Sequence, residues 1–168
     1  MKQEHPEMTI LSGFEAEFDP MREAYLGEMR DKVDYMILGQ HFVPRGLNQS
    51  VGTANPNYPI EYANMVAKAI DSGLFDIVVH PDIFMQYRDT MQSDAAKKLF
   101  DENSVLASQI ICEKAKDMGI PIEINLSPAE NDRMLSDGHL AYPHPTFWTI
   151  ASEIDGLQVL QGVDAHDL

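Results

Sequence analysis

The sequence GLQVLQGVDAHDL, residues 156–168, decides the fold because it joins a short apolar run to a carboxylate and an imidazole. The run at residues 157–163, bounded by glycines, is typical of a buried strand in a parallel sheet. Asp164 and His166 follow where that strand ends, with both side chains on one side of the pleat. Ligands and catalytic residues collect at the carboxyl ends of parallel strands. The pair therefore indicates a metal site, and a polar loop is the alternative.

The chain before this stretch alternates short apolar runs with helical patterns. Strands are predicted at residues 9–14, 33–39, 74–79, 120–125 and 157–163, and helices at residues 22–32, 60–72, 93–118 and 147–153. Long polar loops are predicted at residues 44–59 and 131–145. The apolar stripe Leu99, Leu106 and Ile110 is predicted to face the sheet. This alternation predicts one α/β domain with a parallel sheet, either open or closed into a barrel.

Composition and charge narrow the class of protein. A hydrophobic content of 44% and a charged content of 23% are typical of a soluble globular domain. The net charge of −15 argues against a nucleic-acid partner, and no stretch has the length of a membrane span or a signal peptide. Cys112 is the single cysteine, which excludes a disulfide within the chain and favours the cytoplasm. Its isoleucine neighbours indicate a buried helical thiol rather than a nucleophile.

Potential metal ligands follow four of the five predicted strands, namely Glu15, His41, His80 and the pair Asp164 and His166. A lone histidine near an apolar strand is more often a core residue, but four strand ends with such side chains favour a shared site. Carboxylates together with imidazoles suit zinc, iron or manganese, so the pattern favours a metal-assisted hydrolase. The remaining histidines lie away from strand ends and are expected on the surface or in loops: His5, His139 and His144.

Five segments in series also carry a resemblance to a known family. They are GFEAE (13–17), DYMILGQHF (34–42), FDIVVHPD (75–82), EIN (123–125) and GVDAH (162–166). Together they resemble the polymerase-and-histidinol-phosphatase (PHP) superfamily, and its histidinol-phosphatase branch most. The resemblance implies a parallel-strand segment of a distorted (β/α)7 TIM-like barrel that holds up to three divalent zinc, manganese or iron ions. It also implies hydrolysis of L-histidinol phosphate to L-histidinol and phosphate, a step of histidine biosynthesis in the cytoplasm.

The resemblance assigns a role to each candidate ligand. Glu15 resembles the carboxylate that bridges two metals, and His41 and His80 resemble the imidazoles that complete the second metal's shell. Asp164 resembles a ligand of the first metal and His166 a ligand of the third.

Further residues near these motifs receive weaker assignments. Arg133 resembles a phosphate-contacting arginine, since guanidinium matches phosphate oxygens bidentately, and a solvated loop residue is the alternative. Glu17, Asp82 and Asn125 are expected to support the ligands rather than to bind metal. The implied partner is a small phosphate monoester.

The sequence departs from the family pattern at both ends. The His-x-His and Thr-Asp-His motifs of the family do not occur in residues 1–14, and the chain stops two residues after GVDAH. We therefore expect residues 1–168 to be one PHP-like domain truncated at both ends, in which only the second metal keeps its ligands. Unpaired sheet edges would then favour a homo-oligomer. Another PHP-type phosphoesterase and a catalytically incomplete metal-binding module are the alternative functions.

Overall fold

The fold is a five-stranded parallel sheet with helices between its strands, seen in a computed structural model that describes residues 7–43, 54–126 and 134–163. The strands are β1 (Gly13–Ala16), β2 (Tyr35–Leu38), β3 (Ile77–Val78), β4 (Ile122–Asn125) and β5 (Val159–Gly162). Every neighbouring pair is parallel, which confirms the predicted α/β class. In the described chain β1 and β5 are the outer strands, and closure into a TIM-like barrel stays a prediction.

The strands lie side by side in the order in which they occur in the chain. With right-handed crossovers, this order places successive helices on the same face of the sheet. The helices are α1 (Glu23–Arg30), α2 (Tyr58–Asp71), α3 (Asp94–Met118) and α4 (Pro145–Glu153), with 3-10 helices at Pro20–Arg22 and Ile83–Thr90. Helix α3 contacts both α2 and α4, and the fully buried Met36, Leu38, Val78 and Ile122 supply the strand side of the core.

The ends of α3 are set by residues that the sequence identifies. Ser93 accepts a hydrogen bond from the backbone N–H of Ala96, and Gly119 ends the helix with a φ of 68°. Glycine adopts that left-handed conformation without steric cost, so both predicted ends of α3 are confirmed. Helix α2 begins at Tyr58, inside the predicted 44–59 loop, of which residues 44–53 lie outside the described chain.

The predicted apolar stripe of α3 is wrong. Leu99 and Leu106 are exposed, and Ile110 is only half-buried. The buried side of α3 consists of Phe100, Ser104, Ala107, Ser108, Ile111, Cys112 and Ala115. Two serines belong to this side because their hydroxyls donate to helix carbonyls one turn back, which satisfies them without water. The side of α3 that hydropathy predicted to be buried is therefore offset by about one residue from the side that is buried.

Cys112 lies on that buried side of α3. Burial raises the pKa of its thiol to about 12, so the thiolate does not form at neutral pH. The prediction of a structural helical cysteine is confirmed. Within the three described ranges, no helix combines the length and the apolar character needed to cross a membrane.

Candidate metal centre

Three predicted ligands meet at the carboxyl ends of β1, β2 and β3. Glu15, His41 and His80 each place one ligand atom within 4.8 Å of the others. His80 Nε2 lies 3.5 Å from Glu15 Oε1, and the two imidazole ring centroids are 4.8 Å apart. The grouping follows from the parallel sheet, since neighbouring parallel strands end at the same edge. This cluster could bind a metal ion.

Glu15 reaches the cluster from within β1 rather than from beyond it. The strand was predicted at residues 9–14, but pairing with β2 covers Gly13–Ala16, and Glu15 lies opposite Ile37. Just before the strand, the Ser12 backbone N–H donates to the Asp34 carboxylate, and the Ser12 carbonyl accepts the Asp34 and Tyr35 backbone N–H groups. The carboxylate of Glu15 lies over Gly39, where an added Cβ would sit 1.7 Å from Oε1. Glycine at position 39 therefore leaves the space that the Glu15 carboxylate occupies.

His41 is positioned by its fully buried neighbour Gln40. The Gln40 side-chain oxygen accepts the Phe18 backbone N–H at 2.9 Å, and its amide donates to the Phe42 carbonyl. The Gln40 backbone carbonyl accepts the Tyr62 hydroxyl, also at 2.9 Å. These bonds join the exits of β1 and β2 to α2, so the backbone that carries His41 is held from three directions.

The imidazole of His41 also contacts Glu17. Nδ1 lies 3.3 Å from Glu17 Oε1, and this hydrogen bond raises the pKa of His41 above its ordinary value. A carboxylate on one ring nitrogen fixes the orientation of the ring and strengthens the other nitrogen as a ligand. Glu17 thus lies where a supporting residue is expected, beside a ligand. A protonated imidazole cannot bind metal, so His41 becomes available as the pH rises through its pKa.

His80 provides the test of whether a metal fits. Its side chain is 2% exposed, and neither ring nitrogen makes a hydrogen bond within the described chain. Buried nitrogens without a partner are rare, and ligation to a metal supplies one. Ligand atoms around tetrahedral zinc lie about 3.3 Å apart, and the Nε2 to Glu15 Oε1 separation is 3.5 Å. Two imidazoles and one carboxylate also match catalytic zinc sites that leave a position open for water.

Asp82 lies two residues after His80 and connects the exit of β3 to α4. One of its oxygens accepts the His144 backbone N–H at 2.6 Å and the Trp148 indole N–H at 3.1 Å. The other oxygen is buried and makes no hydrogen bond in the described chain. Burial raises the pKa of Asp82 to about 7. Asp82 thus links the segment that follows His80 to the start of α4, and its supporting role behind the ligands stays a prediction.

Glu123 is the residue that the sequence analysis did not assign to the site. This carboxylate is 9% exposed, and one oxygen accepts the His80 backbone N–H at 3.1 Å. Asn125 donates to the same oxygen at 3.3 Å, and its expected role in supporting the ligands stays a prediction. The available signal was an acidic residue between Ile122 and Ile124 in a strand, because a buried carboxylate requires polar partners.

The other histidines have different surroundings. His139 is exposed, as expected. His144 lies in the loop before α4, as expected, but it is not on the surface: it is 4% exposed and caps α4 by accepting the Thr146 N–H on Nδ1. The remaining candidates, His5, Arg133, Asp164 and His166, lie outside the described residues.

The chain was compared with protein-family models and with curated protein sequences. The chain matches no protein-family model and no curated protein sequence. The likeness to the PHP superfamily therefore stays a prediction from the five motifs.

Proposed function

We propose that this chain binds a divalent transition metal, zinc, manganese or iron, and acts as a phosphomonoester hydrolase on L-histidinol phosphate. The observation that supports it is the cluster of Glu15, His41 and His80, which the motif resemblance had grouped around one metal. In the same proposal the sheet is a segment of a distorted (β/α)7 barrel and the enzyme works in the cytoplasm.

The side chains of the cluster have distinct tasks in this reaction. Glu15 and the two histidines would hold the ion, and His41 is oriented by Glu17. A bound ion supplies a water of lowered pKa and neutralises charge on the phosphoryl oxygens. That neutralisation is required, because a chain of net charge −15 otherwise repels an anionic ester. Glu15 is 37% exposed, so the ester has access to the site from solvent.

The proposal gives three further residues roles that rest on the motif resemblance. Asp164 and His166 would bind additional metals, up to three in all, and Arg133 would contact the phosphate. Two alternatives follow from the same cluster. Another PHP-type phosphoesterase would use the ion on a different monoester, and a catalytically incomplete module would bind the ion without turnover.

The test is phosphate release from L-histidinol phosphate by the purified chain with added manganese or zinc, compared with other phosphate monoesters. We expect bound metal, by elemental analysis, and only low turnover, because a single metal keeps its ligands. A chelator should abolish that turnover, and His80→Ala should lose both turnover and metal content. His139→Ala, an exposed histidine outside the cluster, is the matched control and should retain both. Metal content without turnover would support the non-catalytic module, and preference for another ester would support the other phosphoesterase. Full metal content in His80→Ala would remove His80 from the site.

A further inference from the structure

The backbone of His80 has a conformation that non-glycine residues rarely adopt. Its φ is 34°, and Ala54 is the other described non-glycine residue with a positive φ. Such a conformation is strained in a residue with a Cβ, and it persists only where the surrounding structure enforces it. His80 follows β3 by two residues, and its imidazole lies beside Glu15 and His41. Whatever enforces this turn also sets the geometry of the cluster.

A carboxylate from the neighbouring strand contacts the turn directly. Glu123 of β4 accepts the His80 backbone N–H on Oε2, and the Asn125 amide donates to the same oxygen. On the other side of the turn, the His80 carbonyl accepts the Ile83 N–H at 3.0 Å. Glu123 is not in the described group of metal-ligating atoms, which consists of Glu15, His41 and His80.

The outermost strand leaves room for this carboxylate. On β5, Gly162 lies opposite Asn125, and a Cβ there would sit 1.7 Å from Glu123 Oε1. Any other residue at position 162 would force the carboxylate of Glu123 to move. Two strands that supply no ligand to the described cluster thus determine where the His80 backbone is held.

We propose that Glu123 is a positioning residue of the metal centre, which holds His80 in its left-handed conformation across a space that Gly162 keeps open. This inference rests on the metal-binding part of the proposed function and is independent of phosphatase activity. Glu123 acts through the hydrogen bond to the His80 backbone and not through a bond to the ion.

The first experiment measures zinc and cobalt affinity by competition with a chromogenic chelator. We expect Glu123→Ala to weaken binding about 10- to 100-fold, as for other residues that orient metal ligands. Glu123→Gln keeps an oxygen that accepts the His80 N–H and should stay within about threefold of the wild type. Equal losses in the Ala and Gln variants would overturn the proposal, since the charge and not the hydrogen bond would then matter.

The second experiment tests the link to Gly162. Gly162→Ala should weaken binding like Glu123→Ala, and the double variant should be no weaker than Glu123→Ala alone, because both changes act through one carboxylate. Gly27→Ala is the matched control, since a Cβ at that helical position would meet nothing within 4 Å. Additive losses of metal affinity in the double variant, or a comparable loss in Gly27→Ala, would contradict the proposal that Gly162 acts through the Glu123 carboxylate.

A third measurement does not depend on metal. In the metal-free protein, the His80 amide proton should be protected from hydrogen exchange in the wild type and in Glu123→Gln, and should lose protection in Glu123→Ala. Circular dichroism identifies a variant that fails to fold. If Glu123→Ala does not fold, the metal affinities of Glu123→Gln and Gly162→Ala test the proposal instead. A chain that binds metal without releasing phosphate contradicts the proposed phosphatase alone. A wild-type chain that binds neither ion overturns this inference as well.

Discussion

Two buried histidines differ in chemistry because their ring nitrogens have different partners. In His144, Nδ1 accepts the Thr146 N–H, and burial lowers the pKa, so the neutral ring keeps its proton on Nε2. That nitrogen has no lone pair to offer a metal. Neither ring nitrogen of His80 makes a hydrogen bond in the described chain, and Nε2 lies 3.5 Å from Glu15 Oε1. Burial alone therefore does not identify a ligand, but the partners of the two nitrogens do.

Gly39 gives a prediction that separates metal affinity from stability. In Gly39→Ala the new Cβ would collide with the far end of the flexible Glu15 side chain and not with backbone. The carboxylate can move away, so we expect a change of less than about 1 kcal/mol in the free energy of unfolding. The displaced ligand should lower zinc affinity by about tenfold or more. Calorimetric titration and urea unfolding check the two effects, with Gly27→Ala as control. Unchanged affinity would mean that Glu15 does not bind the ion.

Asp82, which connects the segment after β3 to α4, makes the free energy of unfolding depend on pH. The pKa of Asp82 is about 7 in the folded chain, against an ordinary value of 3.8. Between these values the folded state holds a proton that the unfolded state has lost. Stability therefore falls as the pH rises from about 4 to about 7, by up to about 1.4 kcal/mol per pH unit, and this loss is complete above pH 7.

Asp82→Asn should remove this dependence. An asparagine oxygen still accepts the N–H groups of His144 and Trp148, and the amide carries no charge to desolvate. We expect the variant to gain stability relative to the wild type at pH 8 and little at pH 5, measured by urea unfolding with a chelator present. Asp155→Asn, at an exposed position, should show no such difference. Parallel pH profiles for wild type and Asp82→Asn would show that Asp82 is ionised in the folded state.

The elements themselves were largely predictable where local signals act alone. Ser93 and Gly119 fixed α3, because a capping hydroxyl and a left-handed glycine are properties of single residues. The buried side of α3 was not predictable from hydropathy, since Ser104 and Ser108 are satisfied within the helix. The start of β1, predicted at residue 9, lies at Gly13, where pairing with β2 begins, and that pairing involves residues distant in sequence.

The same distinction applies to the metal centre. Glu15, His41 and His80 were predictable because parallel strands bring their carboxyl ends together. The contribution of Glu123 was not, because it depends on a hydrogen bond to a backbone N–H 43 positions away. Capping by His144 was also missed, since histidine is not among the usual N-cap residues.

Within the described residues β5 is an outer strand of the sheet, and the prediction that this apolar run is buried is wrong. Strand β5 carries exposed apolar side chains, with Leu160 at 44% and Val159 at 48% exposure. An outer strand with such side chains can pair with another chain. We expect the mass measured by light scattering to rise with concentration from 18.9 kDa toward twice that value. Leu160→Lys should shift this rise to higher concentration, because lysine on an outer strand opposes pairing. A constant monomer mass over the same range would contradict the prediction.

The order of the strands has a consequence for biosynthesis. All three clustered ligands precede residue 81, whereas the carboxylate and the glycine that set the His80 backbone belong to β4 and β5. A ribosome delivers the chain from its amino terminus, so Glu15, His41 and His80 emerge before either of those strands. In a nascent chain the three ligands are therefore present before Glu123 can hold the turn at His80, so under our proposal tight binding of an ion has to wait until β4 and β5 have been synthesised.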